Sequence, residues 1–287
     1  WWREPEAADV RYVEFMGKDN VPFHTVGFPV TIMGVNRTAN RRWKLVDQIK
    51  GFNWLNYYGG KFSTSQKRGI FMDQALELLP ADYWRWYLIA NAPESADANF
   101  TWEHFAATVN KDLADVLGNF VNRVLKFANA RFAGVVPAGG QPGPHEADLV
   151  ARLDRAIPSY ANQLEAMQFR KAAQDLRAIW VIANEYVAAA APWTTIKTDS
   201  GAAAASIRTA VNLIALIGVL SAPIIPETAA TLAKALGRPE TRPWPSGPAA
   251  DLLNLIKPGD AFEVPGVLFA KLSDEQVAAW AEQFAGS

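Results

Sequence analysis

An apolar repeat in the middle of the chain constrains the fold most. Leu113, Val116, Leu117, Phe120, Val121, Val124, Leu125 and Ala128 recur at steps of three and four residues. That is the period of an α-helix with one wide apolar stripe, and it predicts a long helix over about 109–132. Asn119 and Arg123, four residues apart, lie together off the stripe. Such a stripe needs partners, and the sequence around it supplies them. Helices are expected over about 160–190, ending before Ala191-Pro192-Trp193, and over 203–220, 227–236 and 272–284. The last begins at Ser273 with Gln276 three residues on, a capping box, and Thr101 is an N-cap for the segment starting Trp102. Short loops between helices, with a Gly/Pro-rich one at 137–144, make residues 100–287 an α-helical bundle. The apolar run 211–225 is broken by Asn212, Ser221 and Pro223. It falls short of the ~18 residues of a membrane span, so a buried helix is expected and no membrane partner.

Residues 1–99 carry a different pattern. The segment 10–16 alternates and is rich in β-formers, then breaks at Gly17-Lys18-Asp19. Residues 21–33 have few polar groups and read as a buried helix, with Pro22 tolerated at its start. Residues 46–55 are a second strand candidate. Strand, helix and strand make a βαβ unit, whose ligands gather at the carboxyl ends of the strands. Both Gly17-Lys18-Asp19 and the stretch Tyr58-Gly59-Gly60-Lys61-Phe62-Ser63-Thr64-Ser65-Gln66-Lys67-Arg68-Gly69 follow such ends. Its glycines permit close backbone approach, and its hydroxyls and amines suit phosphate oxygens; the same composition also suits a solvated loop. Helical segments follow at 73–79, ended by Pro80, and at 81–88, and 92–97 reads as a hinge between two domains.

Charge and composition narrow the function. A formal net charge of −1 excludes a uniformly basic nucleic-acid coat but allows a local basic stripe. The absence of cysteine removes disulfides, thiolate metal sites and a thiol nucleophile, and His24, His104 and His145 are too scattered for a metal cluster. The opening Trp1-Trp2-Arg3-Glu4-Pro5 has no apolar leader pattern and no initiator methionine. A soluble, cytoplasmic chain that begins inside a longer polypeptide is expected.

Four strings together carry a resemblance. Phe15-Met16-Gly17-Lys18-Asp19-Asn20-Val21-Pro22-Phe23-His24 resembles an F-x-G-K-D-x-x-x-F-H segment, and Lys61-Phe62-Ser63-Thr64-Ser65 a K-M-S-K-S signature. Asn110-Lys111-Asp112-Leu113, continued by Asn119 and Arg123, resembles an anticodon helix, and Ala191-Pro192-Trp193 with Lys197 a second anticodon-reading turn. In this order they are similar to the methionyl-tRNA synthetase family of class I aminoacyl-tRNA synthetases. No His-x-Gly-His occurs, so the resemblance is to the C-terminal part of such an enzyme. It implies a mostly α chain: the end of a Rossmann-like α/β catalytic domain over 1–99, then an anticodon-binding helical bundle over 100–287.

The same resemblance implies roles. Lys61, Ser63, Thr64 and Ser65 form the catalytic loop; Gly17, Asp19, Lys61, Thr64 and Lys67 take ATP, which comes with Mg2+ as a substrate; no residue of this segment is a metal ligand. Thr64 stands where the signature has a second lysine, and Lys67 or Arg68 is expected to share that role. Asn20, His24 and Phe28 wall the methionine side chain, sulfur being well suited to aromatic contacts. Asn119, Arg123, Pro192 and Trp193 read the anticodon by stacking and by hydrogen bonds to base edges. Residue by residue the bland alternatives stand: Asp19 as a helix-start acid, His24 as a satisfied core residue, Trp193 as one core filler among eleven tryptophans. The implied partners are tRNA at its anticodon and acceptor ends, methionine, ATP, and the N-terminal part of the same enzyme, without which this part is expected to be inactive. The alternatives are a non-catalytic helical tRNA-binding protein and a class I synthetase for another amino acid.

Overall fold

The alternating segment near the start of the chain forms strand β1, Val13–Gly17, in a computed structural model that describes residues 1–286. A π-helical turn, Phe23–Gly27, runs into helix α1, Phe28–Asn36, and the chain returns as β2, Gln48–Phe52. β1 and β2 are parallel, with Val13 opposite Gln48 and Gly17 opposite Phe52, so the expected strand–helix–strand unit is present. The second strand is shorter than expected. It stops at Asn53, whose amide donates to Pro93 O at 2.8 Å, and a separate strand β3, Leu55–Tyr57, follows. β3 pairs in parallel with β4, Ala98–Phe100, and Tyr57 stacks on Phe100 with ring centroids 5.9 Å apart. These elements belong to one compact unit, Trp1–Phe62 with Asn91–Phe100.

One expectation for this unit fails. The helical segment from Phe23 onward exists but is not buried: only Ile32 of α1 is in the core. Phe23 is 67% exposed, Val26 61%, Val30 62% and Met33 57%. A helix with few polar groups reads as buried from composition, yet burial needs a covering element, and none of the described residues in this unit covers that face.

The second unit, Ser63–Ala90 and Thr101 onward, is helical. It holds α2, Met72–Leu78, and α3, Ala81–Ala90, and then one long helical column: α4, Trp102–Val109, a π-helical stretch Asn110–Gly118, and α5, Asn119–Phe132. The column starts about two turns earlier than the apolar repeat suggested, because Thr101 caps it, its hydroxyl accepting from His104 N at 3.2 Å. Leu113, Leu117, Phe120, Val121, Val124, Leu125 and Ala128 are buried, as the stripe requires, while Asn119 and Arg123 are exposed.

The region expected to be one helix over 160–190 is two: α6, Pro144–Glu165, and α7, Phe169–Ala190. Met167 turns the chain between them in the left-handed region, φ 54°, without the glycine that usually marks such a break. Pro158 lies inside α6, which begins well before the expected start at about 160. After the short α8, Pro192–Thr195, come α9, Ser200–Ser221, α10, Pro226–Ala235, α11, Ala249–Leu252, and α12, Asp274–Gln283.

α9 is the centre of this unit. At 22 residues it is long and apolar enough to cross a membrane, longer than the interrupted apolar run predicted, and 83% of its most apolar window is buried against neighbouring helices. Asn212, fully buried, donates to Ile256 O and accepts from Ile256 N, so its polar group costs little. Around it the packing is aromatic. Trp86 lies 4.5 Å from Trp180, and Trp102, fully buried, contacts Trp84, Phe105, Trp280 and Phe284. Each such buried side chain contributes about 1.5–3 kcal/mol. Asp82, 2% exposed, accepts from Thr228 N at 2.7 Å and Thr228 Oγ1 at 2.6 Å, which caps α10 from α3.

Candidate functional site

The carboxyl end of β1 turns sharply at Gly17-Lys18-Asp19-Asn20. Lys18 N donates to Phe52 O at 2.7 Å, continuing the ladder, and Asn20 N donates back to Gly17 O at 3.0 Å. A Cβ on Gly17 would lie 2.7 Å from Asp19 Oδ1, the end of an exposed side chain, so a larger residue there would push the carboxylate aside. Asp19 and Asn20 are exposed at this edge. Beside them stands a cluster that sequence reasoning missed. Lys18 Nζ donates to Asp97 Oδ1 at 2.8 Å, and Asp97 Oδ1 also accepts Trp54 N at 3.0 Å. These bonds hold the Asp97 carboxyl below its ordinary range, Lys18 contributing most. Nothing in the pattern of 92–97, read as a hinge, marked Asp97.

His24 sits in the π-helical turn, and its Nδ1 lies 2.8 Å from Glu14 Oε2 on β1. Glu14 also accepts the Tyr12 hydroxyl. Burial and this bond push the Tyr12 hydroxyl up to about 12, burial contributing more. His24 is thus neither a core residue nor a free one: its side chain is 40% exposed and tethered from behind, whereas that of Glu14 is 10% exposed. The spacing of Tyr12 and Glu14 on one strand face was a legible signal, but nothing local linked them to His24. Phe28, four residues on, is 49% exposed.

The lysine–serine stretch begins in a tight turn after β3. Tyr57 and Gly60 exchange backbone bonds at 2.7 and 3.0 Å, with Gly59 at φ 76°, a conformation side chains rarely adopt. Lys61 is exposed. Ser63 and Arg68 exchange backbone bonds at 3.0 and 2.9 Å, closing a small hairpin. Inside it Ser63 Oγ lies 3.3 Å from Ser65 Oγ and accepts Gln66 N at 3.3 Å. Thr64, Ser65 and Lys67 are exposed, Lys67 with a left-handed backbone, φ 49°; Arg68 is half-buried. Gly69 N donates to Phe284 O at 3.0 Å, which ties the far side of the hairpin to the residue after α12. The division between the two units falls within this string, between Phe62 and Ser63. Among the described residues no group of three or more His, Asp or Glu is arranged to hold a metal ion.

The helical unit brings a third set together. Ala191, left-handed at φ 41°, ends α7 and redirects the chain so that buried Pro192 starts α8. Trp193 follows, half-buried. The Arg123 guanidinium lies over its ring, 4.6 Å from the centroid, and Phe127 packs edge-on at 6.3 Å. Asn119, Arg123 and Phe127 are successive at four-residue spacing on α5, so they share one face. Phe127 was legible from that spacing and was overlooked. Beside Asn119 is a cavity of about 240 Å³, walled by Asn119, Asn122, Val267, Phe269 and Lys271. A cation on a half-buried indole, with an exposed amide one turn away, offers a planar stacking surface and both donors and acceptors.

Two family models match the chain, and the gap between them, at 126–135, does not fall at a boundary of the compact units. The family model for class I tRNA synthetases (M) matches residues 1–125, and that for the anticodon binding domain of methionyl tRNA ligase matches 136–287. The methionine–tRNA ligase of Maricaulis maris is 55% identical over 290 residues, covering 100% of this chain and 50% of that protein. The methionine–tRNA ligase of Caulobacter vibrioides is 57% identical over 288 residues, with the same coverage. Among solved structures, Mycobacterium tuberculosis methionyl-tRNA synthetase in complex with methionyl-adenylate superposes with a TM-score of 0.76 at 24% identity, covering 90% of this chain and 49% of that one. At that identity the likeness speaks to the fold. The chain spans about half the length of the curated relatives it matches. On the anticodon-domain match, which covers more than half of the residues, and on relatives matched along its full length, the chain belongs to the methionyl-tRNA ligase family.

Proposed function

We propose that this chain is the C-terminal part of a methionine–tRNA ligase, which activates methionine with ATP to methionyl-adenylate and passes the methionyl group to the 3′ end of its tRNA. In this reading residues 1–99 complete a Rossmann-like catalytic domain and 100–287 bind the anticodon. The protein works in translation, in the cytoplasm. The observation that carries the reading is the seating of Arg123 on Trp193 in a unit whose family model is an anticodon-binding domain.

Activation builds negative charge on the α-phosphate and on the departing pyrophosphate, and preorganised cations and donors lower that barrier. Lys61 supplies the cation, and Ser63 and Ser65, already turned toward one another, supply hydroxyls. Thr64 carries no charge. Lys67, exposed on the hairpin, is better suited than half-buried Arg68 to reach a phosphate. ATP enters as its Mg2+ complex, and the ion travels with the triphosphate rather than being held by this chain. Asp19 accepts from the ribose hydroxyls, with Gly17 allowing close approach. Asn20, His24 and Phe28 line the methionine pocket. The exposed apolar face at Phe23, Val26, Val30 and Met33 packs against the N-terminal part of the same enzyme.

In the helical unit an anticodon base stacks on Trp193, displacing the Arg123 guanidinium, which then bonds the base edge together with Asn119. The test uses the full-length enzyme. Lys61→Ala abolishes ATP–pyrophosphate exchange and Lys67→Ala lowers it, whereas Trp193→Ala leaves exchange intact and raises the tRNA KM roughly 5- to 150-fold, the worth of one base stack. Exchange unaffected by Lys61→Ala removes the loop from catalysis. Equal damage to both steps by Trp193→Ala overturns the anticodon assignment.

A further inference from the structure

We infer that Gly286 is a positioning residue for the activation step: together with Phe284 it seats the hairpin closed by Ser63 and Arg68, and so sets where Lys67 stands. This rests on the reading that the hairpin is the phosphate-side loop of the ATP site.

The two sides of the hairpin differ. Thr64 and Ser65, on its first side, are exposed. Its second side lies on the chain that leaves α12. Phe284, 3% exposed, packs against Trp102 with ring centroids 5.7 Å apart, and its carbonyl accepts Gly69 N at 3.0 Å. Two residues on, Gly286 has φ 89°, a conformation that side chains rarely adopt. A Cβ there would lie 2.8 Å from Arg68 Cβ, 2.9 Å from Gln66 O and 3.2 Å from Arg68 Cα. None of these atoms is the far end of a flexible side chain, so room for a methyl group comes only from moving backbone. The buried Phe284 ring anchors its own segment, and the hairpin is what yields.

The two hairpin residues in contact with Gly286 flank Lys67. Gln66 N donates to Ser63 Oγ at 3.3 Å, Lys67 N donates to Thr64 O at 3.2 Å, and Arg68 exchanges two backbone bonds with Ser63. The Lys67 backbone, left-handed at φ 49°, is thus fixed between two residues that rest on Gly286 and moves when they move. A cation stabilises a developing charge only from the right place, and a displacement of roughly 1 Å costs up to 100-fold in rate. Gly286 therefore acts through Lys67 rather than on ATP.

The experiment compares ATP–pyrophosphate exchange by the full-length enzyme with that of Gly286→Ala, Lys67→Ala and the double variant. Rates are taken per active site, counted by a single turnover of adenylate formation, so that misfolded enzyme does not enter them. Gly286→Ala is expected to lower kcat about tenfold with the KM for ATP and methionine unchanged, the mark of an interaction made in the transition state. The double variant is expected to be no slower than Lys67→Ala alone, since two changes acting through one group do not add. Losses that multiply overturn the inference, because Gly286 then acts elsewhere. Exchange slowed by Lys67→Ala but not by Gly286→Ala overturns the inference alone; exchange unaffected by Lys67→Ala removes the reading of the hairpin, and the inference with it. The wild-type enzyme supplies a check that needs no variant: deuterium exchange at the Gly69 amide is expected to be slow, and fast exchange there overturns the seating of the hairpin.

Discussion

Glu146 shows how a single buried charge is kept in the helical unit. Lying in the first turn of α6 at 8% exposure, it accepts the Tyr186 hydroxyl, Ser206 Oγ at 3.2 Å and Gly143 N at 2.7 Å. Burial alone would raise its pKa, but the bonds from Tyr186 and Gly143 outweigh it, and the carboxyl sits below its ordinary 4.5. A lowered folded-state pKa adds stability that is complete above 4.5 and is lost as pH falls through the lower value. Glu146→Gln is therefore expected to cost about 1–3 kcal/mol at pH 7 and to flatten the acid dependence. Urea unfolding at pH 7 and pH 4 checks this; an unchanged acid slope would show that the charge is not what the site holds. At this scale the sequence spoke only where partners were close along the chain. Asn119 and Arg123 were legible as a pair because four residues make a helical turn. Their meeting with Trp193, and that of His24 with Glu14, depends on elements packed from separate stretches.

The elements themselves were mostly legible, because their signals are local. Ser273 accepts Gln276 N at 3.2 Å and Gln276 Oε1 accepts Ser273 N at 3.0 Å, so the capping box read from the sequence is formed at α12. The helix it starts ends at Phe284, whose carbonyl takes Gly69 N at 3.0 Å. Ser273→Ala is expected to cost about 1 kcal/mol. Since α12 holds the hairpin at Gly69, hydrogen exchange at the Gly69 amide should quicken along with that of the helix. Unchanged protection at Gly69 would mean that the hairpin stands without α12. Where elements were misread, a local signal was absent or pointed the wrong way. Met167 takes a left-handed turn without glycine, and Pro158 lies within α6, where proline usually ends a helix.

For the whole molecule, the apolar face of α1 carries the most information. Its exposure does not suit a surface helix, and the proposed N-terminal part of the enzyme accounts for it. In the full-length enzyme Val30→Asp is then a buried unpaired charge, expected to destabilise by about 3–5 kcal/mol, against about 0.5 kcal/mol for a surface position. Denaturant unfolding measures it, and a loss below about 1 kcal/mol would leave that face without its proposed cover. By itself the sequence determined the strand–helix–strand start, the capped helices and the stripe of α5, since periodicity and capping act within a few residues. It also held the four strings that carry the resemblance. Only the tertiary structure decided that Glu14 tethers His24, that Asp97 holds Lys18 and Trp54, and that Arg123 rests on Trp193. Those contacts join residues the chain separates, and their geometry exists only once the elements that carry them have packed.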